Sequence, residues 1–593
     1  MRAVEGRSEP EKRQRKMLTF RQQVAGIARV WSDKAKGRRL YVPCLIILIV
    51  FGAVRIAATH SVFSQTYDEP YHIASGMEWL SRGTFHYDLE HPRLAEAAEA
   101  LGLWLKGLRT IGYPDNWTEG NALLYAGDDL QRNLSLARLG NLPFFVLCAI
   151  GVYCWARRLF GAPAALMSAF LIVNVPPVLG HAGLATTDMA ITATYVVALF
   201  LFTRWLDHPS VQSSAYAGVA LGLMLLSKFS CILFFPAAGL VVFALRFWGR
   251  HPGSKSYPRI RKRAVAVLIT TFLLVTWAGY RFSFHPLPPT KTVQVLRDRI
   301  GDSTPARRVV LALTTLPLPA PELASGIHVL LRHARDGHSS YLLGQVRSKG
   351  WWYFFPVVLA VKTPLPFLLL SILGIVLSVR TFVPTKDWRK LVPGASAVAL
   401  LLVSLPSTIN LGVRHILPIY PLLAIAGGYG LVRLWESRIL ASAGKVVAIC
   451  LPLWLFVESI AAHPDYLAYF NQLAGSHPER VLAESDLDWG QDVNRLRSAL
   501  DRLKVPKFSR SVFSTVDFGR HHLPPSADLL PGRPATGWIA VSYHYLQFCP
   551  RSYAWLSAYP WQPIGKSIRL YWVDVASMPG GTIEDESASM CEH

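Results

Sequence analysis

The sequence predicts a polytopic α-helical membrane protein of about eleven transmembrane helices (range 9–13). It adds a large first outer loop and a small C-terminal soluble domain of α/β or α+β type. Three observations carry this reading. Apolar runs of about 18 to 22 residues recur in a chain that is 51% hydrophobic, with mean hydropathy +0.28. The Lys and Arg residues behind the formal charge of +23 sit in short blocks between those runs. After about residue 462 the apolar runs stop, and mixed helix-like and strand-like segments take over.

Residues 1–40 are polar and basic (EKRQRK, KAKGRR) and lack a short apolar core followed by a small-residue cleavage site. They read as a cytoplasmic tail and not as a signal peptide. The first span covers about 41–58, which sends 60–138 to the outer face. Further spans fit near 139–156, 163–181, 187–206, 214–228, 230–248, 264–282, 355–379, 392–409, 414–433 and 445–462. Threading them alternately puts the basic blocks at 157–158, 204, 246–263, 380–390 and 433–445 on one side, as the positive-inside rule requires. The loop 283–350, Pro-rich and then amphipathic, falls outside and is long enough to cap a cavity. So does 463–580, where a helix is expected over LDWGQDVNRLRSALDRL and strands over SVFSTVDF, WIAVSYHYL and IRLYWVDV. The acidic tail 581–593 reads as disordered.

Composition excludes several classes. A basic excess confined to span-flanking blocks argues for membrane topology and against nucleic acid. No CxxC spacing occurs among the seven cysteines, which argues against a thiol-based zinc or redox centre. Cys549 and Cys591 alone fall on the outer side, where they are the two placed to pair. Neither a GxxxxGK[ST] loop nor a strand-linked GxGxxG is present, so energy for any group transfer must arrive with the donor.

A charge near the bilayer centre costs about 2.5–3.5 kcal/mol, so each ionisable residue near a span needs a reason. Asp188, Lys228, Lys362, Arg414 and His415 all fall at outer ends of spans. They share that face with the stretch YDEPYHIASGMEWLSRGTFHYDLEHPRL, which concentrates Asp68, Glu69, Glu90 and His91. Between the two acidic clusters, Ile73, Met77, Trp79 and Leu80 recur at helical spacing. A short amphipathic helix lying on the membrane surface would bring the clusters together. Snorkelling explains any one of these charges, but not the gathering of all of them on one side. Carboxylates can take a proton from an attacking hydroxyl, and Lys and Arg can hold a phosphate. The mixture suits transfer of a group from a lipid-linked phosphate.

An ordered set of motifs over residues 40 to about 500 resembles the lipid-dependent membrane glycosyltransferases of the GT-C fold. In particular it resembles the bacterial group related to protein O-mannosyltransferases and aminoarabinose transferases. The motifs are YDEPYH, EHPRL, LATTDMA, GLMLLSKFS, GWWYFFPVVLAVKTPLP, LGVRHILPIYP and YFNQLAGSHPERVLAESDLDWGQDVNRL. The resemblance implies that 41–462 form the catalytic membrane domain and that Asp68 is the acceptor-activating carboxylate, with Glu69 supporting the geometry and Asp188 a second acid. It also implies donor-phosphate contacts from Arg414, Lys362 and Lys228. Where the family commonly has His-Pro-Pro-Leu, this chain has Arg93, which adds a cation. Glu90 and His91 are candidates for substrate contact or for a divalent metal.

The implied activity is inverting transfer of a sugar from a polyprenyl-phosphate donor to a protein, lipid or polysaccharide acceptor at the periplasmic side of a bacterial inner membrane. The N-terminus would be cytoplasmic and the C-terminal domain periplasmic. A transporter or flippase of lipid-linked sugars is the alternative; it expects mid-bilayer polar residues and broken helices at matching places in two halves. The acidic run around DWGQD lacks the Gly turn and closing Glu of an EF-hand loop and reads as structural.

Overall fold

In the computed structural model, residues 34–249, 260–287 and 316–574 are described. Among them seven helices are long and apolar enough to cross a membrane: Leu40–Thr59, Leu130–Phe160, Asp188–Asp207, Cys231–Trp248, Lys262–Gly279, Leu365–Thr385 and Ala441–Ala461. An eighth span forms if Ala162–Ile172 and Pro176–Ala182, bent by 66°, cross together. The break falls just before Pro176 and Pro177, where the residue preceding a proline leaves the helical region. Val211–Leu225, Val392–Ser404 and Ile419–Trp435, three of the expected spans, are shorter helices. The protein is a multi-pass membrane protein whose largest core runs through these helices.

The long loop after the first span folds into a helical layer over the span ends. Helices Glu69–Ser81 and Arg93–Leu105 pack closely, and a Cβ at Gly76 would lie 1.9 Å from the Glu96 carbonyl oxygen. The expected helix is present, and its apolar stripe is covered by protein. Ile73 and Met77 are fully buried with Ala100, Leu103, Leu123 and Leu134 in a core of the loop's own. An apolar stripe at helical spacing is satisfied equally by lipid or by neighbouring helices, and here the neighbours are helices.

In the second outer loop, 288–315 lie outside the described residues. The remainder carries the helix Pro321–Asp336, held to the chain before the gap by Ser283, whose hydroxyl donates to Glu322 at 2.7 Å.

The C-terminal unit is a five-stranded mixed sheet in the order 526–528, 508–511, 537–542, 568–573, 561–564. Strand Phe508–Ser511 is parallel to both neighbours, and the remaining pairings are antiparallel. The strand expected over 511–518 ends at Ser511, because the following residues serve a different contact. Phe513 stacks on Tyr67 at 4.6 Å and on His544 at 3.9 Å, while the Thr515 carbonyl accepts from Gln65 and Asn121 of the first outer loop. The expected helix over 487–503 begins at Val493. Ahead of it, Asp488, Gln491 and Asp492 turn their side chains to backbone groups, which competes with helix formation. Residues 1–33 and 575–593, which hold most of the basic tail, the acidic tail and Cys591, lie outside the described residues.

Candidate active site

Asp68 occupies the N-cap position of the helix Glu69–Ser81, yet its carboxylate makes no cap bond. It reaches across 346 residues of sequence to Arg414, Oδ2 to Nη1 at 2.7 Å, and keeps 27% side-chain exposure. Burial pushes the Asp68 pKa up, but Arg414, His72 and His91 more than offset this, so it lies below the usual carboxylate value.

Arg414 is presented by a tight turn. Gly412 has φ of 103°, and a Cβ there would lie 2.7 Å from the Asp486 carboxylate, which accepts from the Val413 N–H at 3.0 Å. The guanidinium carbon sits 4.3 Å over the Trp489 ring. Its buried Nε–H has no partner among the described residues. A buried donor left unmatched costs about 1–3 kcal/mol, so this one is poised for an acceptor.

The second acid, Asp188, opens the helix Thr187–Asp207 and pairs with Lys228, Oδ1 to Nζ at 2.6 Å. Asp68, Asp188 and Glu484 all act on Arg414 and, against the effect of burial, hold it more firmly protonated. The Asp68–Arg414 and Asp188–Lys228 pairs therefore share one electrostatic site at the same end of the helix bundle.

Glu69 is fully committed. Arg138 grips both of its oxygens at 2.8 Å, and the N–H groups of Thr66 and Ala185 donate to it at 2.7 and 2.8 Å. Neither side chain of the pair is exposed. Arg138 also donates to the carbonyls of Phe63 and Ser64, so the pair pins the start of the outer loop beneath Asp68. Lys362 is likewise buried; its ammonium donates to the carbonyls of Leu467 (2.8 Å) and Asp486 (2.5 Å), 4.2 Å from the Phe470 ring centre. It braces the segment that carries Asp486 and Trp489.

Glu90 and His91 diverge. Glu90 faces His333 of the helix Pro321–Asp336 at 3.5 Å, whereas His91 turns to Asp88 at 2.9 Å. The grouping with metal-ligand spacing among the described residues is His72, Asp88, His91 and Glu96, whose donor atoms lie within 4.8 Å of one another. Two imidazoles and two carboxylates suit a zinc-like ion. Arg93 competes for the same carboxylates, at 2.5 Å from Glu96 and 3.8 Å from Asp88. The donor set thus fits a divalent ion, with a fixed guanidinium already supplying positive charge at its edge.

Glu484 is a residue that sequence reasoning did not place in the site. Its φ of 55° is left-handed, and burial, aided by Asp68 and Asp486 and opposed by Arg414, raises its pKa to about 8. Arg138, His72, Asp88 and Glu96 were missed as well. Arg138 carried the same signal as Lys228, a charge at the outer end of a span. The pairing of His72 with Glu96, at 3.2 Å, depends on how two helices cross and left no sequence signal.

Residues 131–277 match the family model described as dolichyl-phosphate-mannose-protein mannosyltransferase, which is less than half of the chain. No curated protein matches this chain by sequence. Among solved structures it is similar to ArnT from Cupriavidus metallidurans bound to undecaprenyl phosphate, at 16% identity and TM-score 0.46, covering 88% of this chain and 97% of that one. It is also similar to the archaeal oligosaccharyltransferase AglB from Archaeoglobus fulgidus, at 13% identity and TM-score 0.47, covering 93% and 76%. A third similarity, to the arabinofuranosyltransferase AftD from Mycobacteria, has 11% identity and TM-score 0.31 and covers 91% and 40%.

Proposed function

We propose that this protein is an inverting glycosyltransferase that takes a sugar from a polyprenyl-phosphate donor and passes it to an acceptor at the outer face of the membrane. One observation carries the reading: a part-exposed carboxylate, Asp68, is paired with a cation, Arg414, that still has an unmatched N–H. The family model over 131–277, named for a lipid-phosphate sugar donor, supports the donor class.

In this mechanism the donor phosphate docks on the Arg414 guanidinium and the Lys228 ammonium. As it takes up Arg414, it loosens the ion pair to Asp68 and leaves the carboxylate more basic. The acceptor O–H then gives its proton to Asp68 as its oxygen attacks the anomeric carbon. The bond from that carbon to the phosphate oxygen breaks, and its electron pair leaves on the phosphate, where Arg414 and Lys228 stabilise the growing charge. Asp188 holds Lys228 in place, and the Glu69–Arg138 pair fixes the backbone from which Asp68 projects. Lys362 acts from behind, on the loop rather than on the phosphate.

Active-site placement on the periplasmic face of an inner membrane, with a cytoplasmic N-terminus, belongs to the same proposal, as does the domain division at about residues 41, 463 and 580. Among the described residues the transport alternative finds one sharply bent helix pair, Ala162–Ile172 with Pro176–Ala182, and a buried Arg55 within the first span. Arg55 is caged by Tyr466, Asn174 and Ser459, which makes it a structural clasp rather than a station on a pathway. The test is mass spectrometry of glycolipids and glycoproteins from cells with the gene, without it, and complemented with Asp68→Asn. The expected result is a glycan that disappears on deletion and is not restored by the variant; no difference between the three would sink the proposal.

A further inference from the structure

A second cleft lies away from Asp68 and Arg414 and shares no residue with their site. It opens between the first outer loop and the C-terminal unit and has a volume of about 640 Å³, within the range of small-ligand sites. Ser61 and Val62, just past the end of the first span at Thr59, contribute its floor. The Gln131 side chain donates to the His60 carbonyl, which sets the second helix of the floor at the same level. The floor therefore lies beside the end of an apolar span.

Its walls are basic. Helix Val493–Arg502 presents Arg497 and Arg502, and the loop opposite presents Arg520 and His522. Some of the lining charges are spent. Arg495 is taken by Asp465 at 2.6 Å and Asp492 at 2.9 Å, and Asp129 is taken by Lys106 at 3.0 Å. Arg497 and Arg502 make no hydrogen bond or ion pair among the described residues, and Arg520 gives one N–H to the Tyr125 carbonyl at 3.0 Å. Against these three guanidinium groups the cleft sets Asp128.

The two walls are held at a fixed separation. Buried His521 lies 3.1 Å from the Tyr125 hydroxyl through Nδ1 and 2.8 Å from the Asn494 side-chain oxygen through Nε2. Burial, with Arg497 and His522 nearby, lowers the His521 pKa to about 4. The ring is therefore neutral, accepting from Tyr125 and donating to Asn494.

We propose that this cleft binds the phosphate-bearing headgroup of an acidic lipid in the outer leaflet. Free guanidinium groups lining one cleft beside a span end match a phosphodiester, which accepts paired N–H donors in a fork that a neutral headgroup cannot use as well. The proposal does not depend on the glycosyltransferase reading.

Native mass spectrometry of the full-length protein tests it, with phosphatidylglycerol or phosphatidylcholine added to detergent micelles. The wild type is expected to retain one more phosphatidylglycerol than the double variant Arg497→Glu/Arg502→Glu, whose affinity should fall roughly tenfold or more. Arg497→Lys/Arg502→Lys, which keeps the charge and loses the fork, should bind it more weakly than wild type and more tightly than the charge reversal. Should the glutamates impair folding, judged by size-exclusion chromatography and circular dichroism, Arg520→Gln reads the same loss. Millimolar pyrophosphate separates the sources: displacement of the lipid shows that the phosphate group suffices, and lack of displacement assigns recognition to the whole headgroup. Equal phosphatidylglycerol retention by wild type and charge-reversal variants, or equal retention of the two lipids by wild type, would overturn the proposal.

Discussion

Replacing Asp68 by Asn should move donor binding and turnover in opposite directions. The carboxylate meets Arg414 at 2.7 Å, and a hydrogen bond between charged groups contributes about 1.5–3 kcal/mol. With 27% of the Asp68 side chain exposed, the low end applies. A donor phosphate must displace that interaction in part to reach the guanidinium. Removing the carboxylate's charge should therefore tighten binding of polyprenyl phosphate by about tenfold, the equivalent of about 1.4 kcal/mol. Losing the proton acceptor should at the same time slow transfer by roughly 10²–10⁴-fold. Both quantities are measured on the full-length protein in lipid nanodiscs: equilibrium binding of polyprenyl phosphate, and transfer of labelled sugar to an extract carrying the native acceptor. Arg414→Gln is the counter-variant and should weaken donor binding by about tenfold or more. If Asp68→Asn kept normal turnover, or bound the lipid phosphate less tightly, the coupling of base and phosphate site through one guanidinium would be refuted.

Three further outcomes follow from neighbouring groups. Glu69→Gln or Arg138→Met leaves a buried partner unmatched and should cost about 3–5 kcal/mol of stability, read as a lower thermal midpoint in detergent; wild-type melting in both would remove the pair from its pinning role. Because Arg138 and the backbone donors overcome burial and depress the Glu69 pKa, its stabilisation is complete above pH 4.5 and is lost as pH falls through the lower folded value. Glu484, with its pKa raised to about 8, is protonated at neutral pH and becomes a rival anion beside Arg414 above that value. Transfer should decline as pH rises through about 8 in the wild type, and Glu484→Gln should flatten that limb; an unchanged profile would count against it. Arg93→Ala should free the carboxylates of Asp88 and Glu96, so that zinc binding, followed by elemental analysis, strengthens by roughly tenfold or more relative to wild type. Identical zinc content in the two proteins would show that Arg93 does not compete for the site.

How much of this site could be read beforehand depended on whether a residue's neighbours were local. A charge at a span end is visible in sequence because the bilayer makes it expensive, and that signal located Asp188, Lys228, Lys362 and Arg414 at one end of the bundle, while Asp68 stood out through the acids clustered around it. It could not say which of them face substrate. Lys362 and Arg414 look alike by that criterion, yet the ammonium is fully buried between the Leu467 and Asp486 carbonyls and the Phe470 ring, while the guanidinium keeps an unmatched Nε–H beside the part-exposed Asp68. The distinction lies in the turn at Gly412 and in the placement of Trp489, which are tertiary facts. The helix Glu69–Ser81 gives the same lesson, since its periodicity predicts a helix facing the membrane surface, whereas its stripe packs against the loop's other helices. The C-terminal unit was legible as mixed α and β, but the strand expected over 511–518 gave way to docking against Tyr67 and Asn121. That docking links the unit to the site: the loop bearing Asp68 is tied to the C-terminal unit at Tyr67, where Trp489 and Phe513 converge. Arg414 rests on that same Trp489. The C-terminal unit is therefore part of what sets the distance between the proposed base and the proposed phosphate cation, which is why ESDLDWGQD belongs to the site although Asp486, Asp488 and Asp492 turn to backbone groups.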